Sequence, residues 1–238
     1  MFARAPLPPE SRARLAGLFG QPGVVIREIS LGEDPEPLYA EEAALVVGCA
    51  EKRKREFAAG RLCARNALAE LGITNFPLLA NPDRAPIWPA SVVGSITHTE
   101  GGASGYCGVA IASRRIAWGL GIDAEPRLPL SDELLPHVLD GDEKRMTQNA
   151  DEPGVCARLV FSAKEATYKA IHPALGRFLD FHDVHIQLLP QQCLFVAELV
   201  GATRALAPAA GPLLGRFVID DELLVTGVLL PAKGLPLA

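Results

Sequence analysis

The chain has 238 residues, 49 % hydrophobic and 21 % charged, the composition of a folded globular protein of one large domain or two lobes of roughly 120 residues each. Its net charge of −5 argues against the broad basic surface of a duplex-DNA binder, so no nucleic-acid partner is expected. No apolar run approaches the ~18 residues of a membrane span, and Met1-Phe2-Ala3-Arg4-Ala5-Pro6-Leu7-Pro8-Pro9 lacks the apolar stretch of a secretory signal, which predicts a cytoplasmic protein.

In chain order, the first forty residues are rich in proline, glycine and acidic side chains and predict one short strand, Val24-Val25-Ile26. From Tyr39 to about Leu71 the pattern is helical, stopped by Gly72. This helix carries Lys52-Arg53-Lys54-Arg55, Arg61 and Arg65, six cations in fourteen residues of an acidic chain. Arg53, Phe57, Arg61 and Arg65 recur every four residues and share one face, which suits either a solvated charged surface or an anion pocket in which two arginines converge on one phosphate. Proline punctuates Phe76 to Pro89, predicting a loop, and extended segments follow at Val92 to Thr97, Tyr106 to Ala112 and Arg115 to Ile122. Ser131 to Asn149 reads as helix, and Asp151-Glu152-Pro153 opens another that runs to His172. Strands are expected at Val184 to Leu188, Leu194 to Val200, Phe217 to Ile219 and Leu223 to Leu230. A basic, aromatic-containing helix followed by several strands, twice over, predicts an α+β fold of two similar lobes, 1–115 and 116–238. Cys49, Cys63, Cys107, Cys156 and Cys193 have no metal-ligand spacing and read as reduced thiols.

Asp123 and Glu125 stand two apart at the end of an apolar strand, so their carboxylates point to one face. Carboxylates held that close repel unless a cation lies between them, and magnesium suits such a pair when one more carboxylate completes it. Glu165, in an apolar helix one turn before Lys169, can be that third ligand. Taken singly, Glu165 and Lys169 are also what an ordinary helical ion pair gives, and Asp123 and Glu125 what a strand end turning into solvent before Pro126 gives. Together with Lys164 they point to a site for phosphate chemistry. His98 closes Gly94-Ser95-Ile96-Thr97-His98, where small and hydroxyl residues let the backbone approach an anion.

These residues resemble the 4′-phosphopantetheinyl transferases of the larger, pseudo-dimeric kind, in the branch associated with siderophore and nonribosomal peptide synthesis. Both family signatures are present, GIDAE at Gly121 to Glu125 and FSAKEATYK at Phe161 to Lys169, and auxiliary blocks match from Arg53 to Arg65, from Arg84 to Pro89 and from Gly94 to His98. Two positions depart from the pattern: Phe161 replaces the tryptophan of some members, and Ala85 replaces a lysine before Pro86, with Arg84 one residue earlier.

The resemblance implies a pseudo-two-fold pair of lobes with coenzyme A in the cleft between them, and Asp123, Glu125 and Glu165 holding Mg2+ on its diphosphate. It implies that Lys164, Lys169 and His98 contact the phosphates, that Arg53, Arg61 and Thr97 hold the nucleotide end with Arg84 and Pro86 in the neighbouring loop, and that Glu165 is the base. The reaction implied moves phosphopantetheine to a serine of an apo acyl or peptidyl carrier protein and releases 3′,5′-ADP. A monomer is expected, because two lobes already frame the cleft. Leu134, Leu135, Val138 and Leu139 are candidates either for carrier docking or for burial. A magnesium-dependent nucleotide diphosphate hydrolase and a catalytically silent coenzyme A binding protein are the alternatives.

Overall fold

The computed structural model describes residues 14–31, 37–101, 104–206 and 211–232; the amino-terminal stretch read above for a secretory signal lies outside them. The elements are β1 (Val24–Ile29), α1 (Ala40–Ala44), α2 (Glu51–Glu70), β2 (Val92–Thr99), β3 (Tyr106–Ser113) and β4 (Ala117–Pro126). They continue with α3 (Leu135–Val138), α4 (Gly141–Gln148), α5 (Pro153–Leu175), β5 (Val184–Leu189), β6 (Leu194–Leu199), β7 (Leu213–Ile219) and β8 (Leu223–Pro231).

The fold is α+β with two antiparallel sheets, β1-β3-β2 and β4-β8-β7-β6-β5. Each half opens on a strand and not, as expected, on its long helix: β1 pairs with β3, and β4 pairs with β8, the last strand of the chain's described part. Two predicted helices are each divided. The segment from Tyr39 stops at Ala44 and turns through Gly48, whose φ of 78° takes the chain out of helical geometry before α2 starts. The segment from Ser131 splits at Asp140, whose side chain accepts from the N–H groups of Asp142 and Glu143 and so caps α4 at the expense of a continuous helix.

Helix α2 buries Ala59, Cys63, Ala64, Ala67 and Leu68 against Val92, Val109 and Ile111 of the three-stranded sheet. Helix α5 crosses β4 at backbone distance. A Cβ on Gly121 would lie 2.0 Å from Ala166 O and one on Gly119 would lie 2.4 Å from Ala170 O, so both positions need glycine for the helix to sit there.

The unpaired edge of β4 faces the edge of β2. Instead of a backbone ladder, Ser95 Oγ accepts from Ile122 N at 3.1 Å and Thr97 Oγ1 accepts from Ala124 N at 2.9 Å. These hydroxyls satisfy edge N–H groups that burial would otherwise leave without acceptors. Beside this seam, Val93, Ala110 and Ala112 from one sheet share a core with Leu120, Ile122, Val218 and Val225 from the other. The seam therefore carries Asp123 and Glu125 up against the first half of the chain.

Candidate active site

Asp123 leaves β4 between the two backbone groups held by Ser95 and Thr97. Its Oδ1 accepts from Lys169 Nζ at 2.6 Å, while its Oδ2 is buried with no partner. Lys169 also donates to Ile122 O at 3.3 Å. Burial works against the Lys169 ammonium, but Asp123, Glu165 and Glu125 outweigh it and raise its pKa. Glu165, one turn before Lys169 on α5, makes no hydrogen bond or ion pair through its carboxylate among the described residues. Burial raises its pKa, with Lys169 opposing and the Asp123 charge adding to the rise. Burial and Asp123 likewise raise Glu125, against the pull of Arg158, whose Nη1 donates to Glu125 Oε2 at 2.6 Å.

An orphaned buried carboxylate oxygen beside two more carboxylates of raised pKa is an arrangement that a divalent cation relieves, and the hard oxygen donors suit magnesium. The donor chemistry of Asp123, Glu125 and Glu165 thus fits a metal, although their ligand oxygens do not all gather within 4.8 Å of one another. A second acidic group, Asp140, Glu143 and His185, has ligand atoms within 4.8 Å of one another, but its groups are already used. Glu143 accepts from Lys164 Nζ and from the N–H groups of Ile186 and Asp140, and Asp140 caps α4 and holds His185 Nδ1 at 2.6 Å.

On the facing side, β2 presents His98 to α2. Arg53 Nη1 lies 3.3 Å from His98 Nε2, and Glu56 Oε2 lies 3.8 Å from both Arg53 Nη1 and His98 Nδ1. An arginine donates only, so Nε2 is the acceptor and the ring proton sits on Nδ1, towards Glu56. Burial lowers the His98 pKa, offset in part by Glu56. Arg61 is 6 % exposed, with its guanidinium carbon 3.9 Å above the Phe57 ring. It makes no hydrogen bond or ion pair among the described residues, its Nε is buried without a partner, and burial lowers its pKa to about 10. A buried cation in that state has capacity for an anion.

The basic run thus divides. Lys52 pairs with Glu100 and Lys54 with Glu51, as on an ordinary charged surface, and Arg65 is held by Pro37 O and Glu42 and stacks on Tyr39. Arg55 is exposed, which leaves Arg53 and Arg61 for the site.

Two expectations need correction. Lys164 is 1 % exposed and donates to Val138 O at 2.7 Å, Glu143 Oε2 at 2.7 Å and Phe181 O at 2.9 Å. An ammonium has three donors, all three are used, and none is left for phosphate. Thr97 is 3 % exposed with its hydroxyl committed to the seam, so its side chain fixes the backbone between Asp123 and Glu125 and does not face a nucleotide.

Arg84 is exposed in a turn with φ of 71°, closed by Arg84 N donating to Asn81 O at 2.8 Å, and Pro86 bridges to Ala80. Asp83 reaches His172 of α5 at 3.3 Å and brings this loop to the other half of the chain. Of the apolar set after Glu133, Val138 and Leu139 are buried, Leu135 packs on the core and only Leu134 is exposed.

Sequence reasoning passed over Glu56, hidden inside a run of cations, and Arg158, seven residues before Glu165 and thus on its face of the helix. It also passed over Tyr168, whose ring lies 5.0 Å from His172 and 5.9 Å from the exposed Phe178. Helical spacing from Glu165 was the available signal for Arg158 and for His172.

Residues 41–112 match the 4′-phosphopantetheinyl transferase N-terminal domain, and residues 119–210 match the 4′-phosphopantetheinyl transferase superfamily. The chain is 39 % identical over 213 residues to 4′-phosphopantetheinyl transferase Svp of Streptomyces mobaraensis, covering 84 % of this chain and 82 % of that one. It is 33 % identical over 220 residues to 4′-phosphopantetheinyl transferase PptT of Mycobacterium tuberculosis, covering 88 % and 95 %. Enterobactin synthase component D of Salmonella typhi is 38 % identical over 159 residues, 62 % of this chain and 64 % of that one.

Proposed function

Because the chain belongs to the 4′-phosphopantetheinyl transferase superfamily, we propose that it transfers phosphopantetheine from coenzyme A to a serine of an apo acyl or peptidyl carrier protein and releases 3′,5′-ADP. The observation that carries this reading is Asp123: one carboxylate oxygen held by Lys169, the other buried and unpartnered, at the seam where β4 meets β2. The boundary between the lobes falls at 115/116, in the turn joining β3 to β4, and coenzyme A occupies the cleft between them.

Asp123, Glu125 and Glu165 would hold Mg2+, which when bound supplies charge neutralisation on the diphosphate. Lys169 presents its ammonium to the phosphates from a position set by Asp123. Arg61 and Arg53 take the phosphate at the nucleotide end, and His98, whose Nε2 accepts from Arg53, stands beside the phosphates and orients that guanidinium. Glu165, without a hydrogen-bond or ion-pair partner among the described residues, takes the proton of the serine hydroxyl directly or through one water as the hydroxyl oxygen bonds to the β-phosphorus and the diphosphate bond breaks. The exposed Phe178 with Tyr168 gives an apolar shelf for the pantetheine arm. The hydroxyl-bridged seam is complete within one chain, which supports a monomer. No helix among the described residues is long and apolar enough to cross a membrane, in keeping with the expected cytoplasmic setting.

The test is the intact mass of an apo carrier protein incubated with the chain, magnesium and coenzyme A. A gain of about 340 Da, one phosphopantetheine group, is expected with the wild type and not with Asp123→Asn. Coenzyme A breakdown without that gain would instead indicate a hydrolase, and binding without either a silent coenzyme A protein.

A further inference from the structure

We propose that Arg158 is a positioning residue: its guanidinium presents Glu125 to the metal and fixes the turn that follows β4. The inference rests on the reading of Glu125 as a metal ligand and adds a residue that reading does not contain.

Arg158 lies on α5 two turns before Glu165. It reaches across to the end of β4 and donates three times, from Nη1 to Glu125 Oε2 at 2.6 Å, from Nε to Leu128 O at 2.7 Å and from Nη2 to Pro129 O at 2.8 Å. The two carbonyls belong to the turn leaving the strand. That turn is also pinned to the start of α5, where Leu130 N donates to Gly154 O at 3.0 Å and a Cβ on Gly154 would lie 2.6 Å from Pro129 Cβ. One planar fork thus holds a carboxylate and the backbone three and four residues after it in a single geometry, which a lysine, as a point charge, cannot reproduce.

The need for such a hold follows from charge. Glu125 and Asp123 repel each other, and the strand ends at Pro126, so a Glu125 side chain without Arg158 would turn outward. Arg158 takes Oε2, and among the described residues no donor reaches Oε1. That division, one oxygen oriented by a protein donor and the other open, is the one that outer hydrogen bonds impose on metal-binding carboxylates.

The sign of the effect separates positioning from simple charge. Deleting a cation next to a metal site strengthens cation binding if Arg158 acts through Coulomb repulsion alone. Positioning predicts the reverse, a loss on the order of 10- to 100-fold in affinity. Manganese binding to the full chain, read by electron paramagnetic resonance without coenzyme A or carrier, is the test. Arg158→Ala and Arg158→Lys are both expected to bind manganese more weakly than wild type, and Arg158→Ala is expected to cost little further in an Glu125→Gln background. Unchanged or tighter binding in the folded variants, or a loss that adds in full to that of Glu125→Gln, overturns the proposal. Asp123→Asn distinguishes the two readings. If it loses manganese while the Arg158 variants keep it, only the role of Arg158 falls; if Asp123→Asn and Glu125→Gln both bind as wild type, the metal assignment and the inference fall together.

Discussion

Lys164 Nζ lies 2.7 Å from Glu143 Oε2 with neither side chain reaching solvent, while Lys169, five residues later on the same helix, pairs with Asp123 at 2.6 Å in the candidate site. Five residues of α-helix turn a side chain to a position about 140° away, so the two lysines leave α5 on different faces. One ties α5 to α4 and to the carbonyls of Val138 and Phe181, and the other faces β4.

Lys164→Met is accordingly expected to act on stability. It leaves the Glu143 carboxylate buried without its cation, a loss of roughly 3–5 kcal/mol for a broken buried pair. Thermal unfolding should show this, while the folded fraction binds coenzyme A as the wild type does. Weakened coenzyme A binding at an unchanged melting temperature would return Lys164 to the phosphates.

Thr97→Val keeps the shape of the seam and removes the acceptor for Ala124 N. A buried N–H left without a partner costs about 1–3 kcal/mol, which urea unfolding can resolve. Transfer activity should fall too, because Ala124 lies between Asp123 and Glu125. Full stability in Thr97→Val would mean that the Thr97 hydrogen bond contributes nothing to the hold of the seam.

Gly121→Ala tests the closeness of α5 and β4. The added carbon would sit 2.0 Å from the backbone oxygen of Ala166, so the helix must retreat and take Glu165 and Lys169 away from Asp123. A displacement of that kind costs on the order of 10²-fold in rate when reacting groups are held by geometry. The comparison to make is carrier modification by Gly121→Ala and by Gly20→Ala, since Gly20 has open space around it and no positive φ. Equal activities would show that the helix position is not limiting.

Asp220 provides a pH-dependent tie. Burial would raise its carboxyl, but Arg14 and the N–H groups of Leu223 and Glu222 outweigh it and hold the pKa below the usual aspartate value. A depressed folded-state pKa contributes stability that is present above the unfolded value and is lost as pH falls through the folded one. Asp220→Asn should therefore be less stable than wild type at neutral pH, and the gap should close on acidification below the ordinary aspartate range. Melting temperatures of both proteins across that range measure it, and a gap that persisted at low pH would rule out the ionised pair as its source.

The sequence by itself determined most elements and the identity of the reactive set. Alternation in β4 put Asp123 and Glu125 on one face, and a four-residue spacing put Glu165 above Lys169, because both are local periodicities that hold wherever the element forms. Order along the chain likewise signalled two α+β lobes and the strand at Val24 to Ile26, but not that this strand joins the first sheet beside β3, a pairing that tertiary contact alone sets. Tertiary structure alone decided which polar groups were spent on the fold. Lys164 and Thr97 have the same chemistry as groups that bind phosphate, and no local pattern reveals that Glu143 and Ala124 N stand opposite them. Arg158 and Glu56 became visible for the same reason, as contacts between elements 33 and 42 residues apart in the chain for Glu125 with Arg158 and Glu56 with His98. A side chain's capacity for a ligand is what remains after its protein partners are counted, and those partners are set by packing between distant segments.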